Sequence, residues 1–114
     1  MSLSIRMRFE ELKSLGFAAI GVGYMGIGTA LQNPAREIFI QNLTDVTLVF
    51  SDNGVDDKFK LPSMSGYVID IAANKSNQVG TFCMAQGERM YVKHNGVAPT
   101  TGEVCFSAIY GTDY

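Results

Sequence analysis

The sequence predicts an all-β domain: a single antiparallel β-sandwich, jelly-roll-like, with a short N-terminal arm or helix. Three observations carry that prediction. Short apolar runs alternate with a period of two, most clearly over 46–50 and 103–110. Turn-forming residues separate these runs, with 12 glycines among 114 residues. The aromatic residues are Phe and Tyr without Trp, a set that suits pleated strands.

The totals bound the class. A chain of 114 residues fits one domain and can bury a core without disulfides. An apolar content of 46% excludes general disorder. A net charge of −2 offers nothing that favours unspecific attraction to nucleic acid. Cys83 and Cys105 lie inside apolar runs and form no CxxC. They are expected as buried free thiols, with a disulfide between adjacent strands as the alternative.

Residues 1–16 place Phe9, Leu12 and Leu15 at helical spacing, with Gly16 as a natural stop. They predict a short helix or arm, too short to be stable alone in water. Residues 16–31 are apolar and glycine-rich. They fall short of the roughly 20 residues that span a bilayer, and Glu10 and Glu11 spoil the basic region of a secretion signal. Gly21-Val22-Gly23-Tyr24-Met25-Gly26 matches the letters of the dinucleotide fingerprint, but no helix follows it. It reads instead as an extended segment with Ile20, Val22 and Tyr24 on one face. The expected organisation is an arm over 1–31 and a sandwich core over 32–114.

The regular strands begin at Ile38–Ile40. Val46, Leu48 and Phe50 then alternate with Thr47, Val49 and Ser51, and Asp52-Asn53-Gly54 turns the chain back into Phe59 and Leu61, a hairpin. Tyr67, Ile69 and Ile71 share one side of the next strand. Two more runs follow, over 81–85 and 90–93, the first preceded by the polar loop 74–78. After the loop 95–101, Val104, Phe106, Ala108 and Tyr110 share one face of the clearest strand. The expected core is Ile38, Ile40, Val46, Leu48, Phe50, Phe59, Leu61, Ile69, Ile71, Phe82, Val92, Val104, Phe106 and Tyr110.

Catalytic patterns are nearly absent. His94 is the one histidine, read as an exposed loop residue, and no G-x-S-x-G elbow exists. Asp52, Asp56 and Asp57 crowd one loop, as oxygen ligands of calcium do, but the spacing is not that of an EF-hand and solvated carboxylates are expected. Lys75, Arg89, Lys93 and His94 come from separate elements and do not make a nucleic-acid groove. Asn42-Leu43-Thr44 and Asn74-Lys75-Ser76 match the glycosylation sequon. The expectation is no catalytic, cofactor or metal residue, and no nucleic-acid or membrane partner.

Longer phrases carry more. They include Asn33-Pro34-Ala35-Arg36, Gln41-Asn42-Leu43-Thr44-Asp45, Phe50-Ser51-Asp52-Asn53-Gly54-Val55-Asp56-Asp57, Leu61-Pro62, Ala85-Gln86-Gly87, Pro99-Thr100-Thr101-Gly102 and Ile109-Tyr110-Gly111. Over most of its length the chain resembles small virion-associated proteins of tailed bacteriophages, encoded among head and neck genes. The resemblance implies a structural protein of the virion, assembled in the bacterial cytoplasm. It implies a capsid decoration or cement role on the major capsid protein, or the role of a head–tail neck or tail accessory protein beside neck or portal proteins, and no catalytic residues. A homo-oligomer in the particle is expected. The alternative is a small ligand- or carbohydrate-binding sandwich, calcium-dependent or not.

The apolar N-terminal third supplies the expected interface: Ile5, Met7, Phe9, Leu12, Leu15, Tyr24 and Met25. If it is a separable arm, deleting residues 1–15 should leave the melting temperature within a few degrees.

Overall fold

A computed structural model describes residues 5–70 and 84–113. The expected Ile71, Phe82 and Cys83, the Asn74 sequon, Lys75 and most of the run 81–85 lie outside them. Among these residues, nine strands are arranged in two antiparallel sheets: β1 (Ile5–Phe9), β2 (Lys13–Gly16), β3 (Met25–Gly26), β4 (Glu37–Asn42), β5 (Leu48–Ser51), β6 (Phe59–Leu61), β7 (Ser65–Asp70), β8 (Tyr91–His94) and β9 (Glu103–Asp113). The five-stranded sheet runs β1-β9-β4-β7, with β2 also on β9, and the four-stranded sheet runs β3-β8-β5-β6. Among the described strands, only β1–β2 and β5–β6 follow one another within a sheet. The predicted β-sandwich is therefore the observed class.

The core fills the space between the sheets. Ile38, Ile40, Val104, Phe106 and Ala108 face inward from one sheet, and Leu48, Phe50, Leu61 and Val92 from the other. Val46, Phe59 and Ile69 pack at its margin, while Tyr110 is only half-buried. The Phe50 and Phe59 rings stack at 5.2 Å. The predicted hairpin is β5–β6, with Leu48 opposite Leu61 and Phe50 opposite Phe59. Val49 falls on the polar side of the sequence alternation, yet all four residues of β5 are buried.

The N-terminal third departs from expectation. No helix forms over 5–16, and residues 5–31 are not an arm apart from a core. β1 lies antiparallel along the end of β9, with Phe9 opposite Ile109, and β2 continues along the same strand, with Lys13 opposite Phe106. Four steps from Phe9 to Lys13 span only three on β9, so one extra residue is bulged out between them. A bulge reverses the facing of the residues beyond it. Phe9 points outward while Lys13 and Leu15 turn in, and the resulting three-residue spacing imitates a helix. Further along, Ile20, Ile27 and Leu31 enter the core directly.

The corner where the chain crosses between sheets is closed by Asn42. Its side chain is fully buried, and its amide donates to the carbonyls of Val46 (2.9 Å), Leu61 (3.0 Å) and Pro62 (3.1 Å). Its carbonyl accepts from the Thr44 backbone N–H (3.0 Å) and hydroxyl (2.6 Å). Removing this side chain would strand several buried polar groups, each costing about 1–3 kcal/mol. The same burial leaves no room for a glycan on the Asn42 sequon of the folded chain.

Candidate functional site: the outer face of the five-stranded sheet

Register defines this face. Phe39 stands opposite Ser107 on one side and Val68 on the other, and its neighbours Ile38 and Ile40 point into the core. Phe9, Ile109, Glu37 and Asp70 form the adjacent row. The face thus carries an apolar band across four strands. Phe9 is 68% exposed, Val68 58% and Met7 54%. Phe9 and Phe39 meet with ring centroids 6.3 Å apart. Ile109 lies buried between Phe9 and Glu37 in register. A shallow groove of about 290 Å³ runs between Phe9, Phe39, Gly66, Tyr67, Val68 and Ser107.

The expected interface residues divide between this face and other places. Met7 and Phe9 lie on it. Leu12 projects from the bulge, 60% exposed. Leu15, partly buried, packs against the core. Tyr24 and Met25 belong to the other sheet's side, and the side chain of Ile5 is not among those described. Phe39 and Val68 escape the sequence reading. Their signal is present all the same: each is apolar at an outward position of a strand whose other face is already apolar, as Ile38-Phe39-Ile40 shows.

At the bulge, Glu10 and Lys13 are nearly buried and lie 3.6 Å apart. Glu10 accepts from the Asn33 backbone N–H (2.8 Å) and side-chain amide (3.2 Å) and from the Gln32 N–H (3.2 Å). Lys13 donates to the Thr29 hydroxyl at 3.4 Å. Together they pin the crossover between β3 and β4 to the edge of the sheet, next to Phe9. Their polar atoms are committed to that structural task.

The opposite side of the sandwich holds the other clusters singled out by sequence. Asp57 accepts from the Tyr24 hydroxyl (2.5 Å) and pairs with Lys93 (3.1 Å), whose ammonium also lies 4.7 Å from the centre of the Tyr24 ring. The Tyr24 hydrogen bond, then Lys93, hold the Asp57 carboxyl below its ordinary value. Burial, then Asp57, push the Tyr24 phenol up. Asp52 instead faces Lys58 at 3.7 Å, and Asp56 accepts from the Asn53 amide at 2.9 Å. The three carboxylates therefore serve three different partners, and no group of three metal-ligating side chains occurs among the described residues.

Arg89 donates to the Gly28 carbonyl at 2.7 Å and lies over Tyr91. His94 ends β8, half-buried, and its Nδ1 accepts from the Gly96 N–H at 3.2 Å. Cys105 is a buried free thiol, its pKa pushed up by burial and then by Glu103. No described helix is long and apolar enough to cross a membrane.

No protein-family model matches the chain, and neither a curated protein nor a solved structure matches it.

Proposed function

We propose that this chain is a non-enzymatic structural protein of a bacteriophage particle, a decoration protein that binds the major capsid protein and stabilises the shell. The observation that carries the reading is the apolar band on the outer sheet face, where Met7, Phe9 and Val68 are exposed and Phe39 between them is half-buried. A contiguous apolar surface on a small domain marks a place where another molecule sits. The strand order supports the same reading. With β1 and β2 taken as one interrupted strand, the sheets read β1/β2-β9-β4-β7 and β3-β8-β5-β6. That order supports reading the sandwich as the double Greek-key winding of a jelly roll, an architecture used by capsid proteins. The phage-like phrases point the same way.

The test uses particles of a phage that carries this gene, prepared without the protein. Purified chain should bind them in many copies and raise the temperature at which the shell opens. Binding confined to one vertex would move the protein to the neck. Failure to bind shell or vertex would refute a virion role.

A further inference from the structure

Among the residues whose side chains are described, every charged group that strand register places on the outer face of the five-stranded sheet is acidic. Glu37 and Asp70 lie in the row beside Phe39 and Val68, and Glu103 lies toward the other end of β9. Arg8 and Lys13 fall on the opposite side by their pairing with Tyr110 and Phe106. Glu37 and Asp70 stand directly opposite one another across β4 and β7. Like charges in that position destabilise a sheet. Neither has an ion-pair partner among the described residues. Among the described residues, the fold thus keeps a repulsive pair beside an apolar groove and places no cation to relieve it.

We propose that this face docks a basic protein surface: an apolar side chain flanked by lysine or arginine, presented by the capsid subunit. The inference rests on the virion reading and adds the partner's chemistry. The apolar side chain enters the groove between Phe9, Phe39 and Val68, and its desolvation supplies most of the affinity. A cation beside it meets Glu37 and Asp70, which sets orientation and accelerates encounter. A second copy docking through the same face would set acid against acid. A nucleic acid would be repelled.

The isolated protein and its binding to shells test this together. Asp70→Asn should raise the melting temperature by about 1–4 °C, because it relieves the Glu37 repulsion, and should weaken shell binding. Glu37→Lys with Asp70→Lys should reduce affinity for purified shells at least about tenfold and flatten its dependence on salt. Val68→Asp should lose a similar amount, whereas Lys60→Glu, on the other sheet, should bind as the unaltered chain does. Equal binding by the face variants, with the unaltered chain bound, overturns this inference and leaves the virion reading standing. No binding by the unaltered chain overturns the virion reading and takes the named partner with it. An Asp70→Asn protein no more stable than the parent overturns the repulsive pair on which the inference stands.

Discussion

Gly102 and Gly21 are the same residue under opposite constraints. Gly102 has φ 91°, and a Cβ there would lie 2.0 Å from the carbonyl oxygen of Leu43. That contact is with backbone, which cannot swing aside. Gly21 has no left-handed φ, and a Cβ would meet nothing within 4 Å. Gly102→Ala should therefore cost at least about 2 kcal/mol through strain and overlap. Gly21→Ala should add about 0.4–1 kcal/mol by restricting the unfolded chain. Urea unfolding of the two variants should show opposite signs, and a shared sign would contradict this account.

The Tyr24–Asp57–Lys93 clamp makes a second claim at this scale. The folded Asp57 value is depressed, so its contribution is present above the unfolded value of about 3.9 and is lost as pH falls through the folded one. Tyr24 is shifted upward, so its contribution is intact below about pH 10 and lost as pH rises through its folded value. The clamp is complete across neutral pH. The carboxyl-carbon NMR shift of Asp57 should titrate below the ordinary range and move back toward it in Tyr24→Phe. A midpoint unmoved by that substitution would show that the hydroxyl does not hold the carboxylate.

Among the elements, β1 and β2 reverse an expectation drawn from sequence. They pair with β9 over most of its length, and Glu10 fastens the crossover at Gln32 and Asn33. Deleting residues 1–15 removes these bonds and bares an edge of β9. The melting temperature should fall by at least about 10 °C, the loss of a few kcal/mol in a domain this size. A truncated chain melting within a few degrees of the full one would restore the separable arm. The β5–β6 hairpin and β9 are legible in the sequence because their apolar residues keep period two and glycine or asparagine turns bound them. The N-terminal strands are not. A single bulged residue shifts Leu15 to the opposite facing from Phe9, and period-two counting has no place for it. Ile20, Ile27 and Leu31 escape for a related reason: they enter the core from irregular crossovers, where no repeat marks them. The exposed band is half legible. Met7 and Phe9 stand out in the apolar N-terminal third, but Phe39 and Val68 join them only through cross-strand pairing, which a linear sequence does not display.

At the scale of the molecule, β9 determines when a fold can exist. It is the central strand that joins β1 and β2 to β4, and it comes last among the strands. Phe106 and Val104, both fully buried, belong to it. The five-stranded sheet therefore cannot close until nearly the whole chain is present. Its first and last strands lie side by side, so the entropy of bringing distant segments together is met before their contacts form. Folding should accordingly take milliseconds to seconds, as for other all-β domains dominated by non-local pairing. A chain ending at residue 102 should show no cooperative thermal transition and no dispersed amide spectrum, because β4 and the β1–β2 edge would have no strand between them. The four-stranded sheet would remain as a sequence but would have no opposite layer on which to bury Phe50, Leu48 and Val92. A cooperative melt from the 1–102 chain would show that the two sheets stabilise themselves separately, and β9 would lose its place at the centre of the fold.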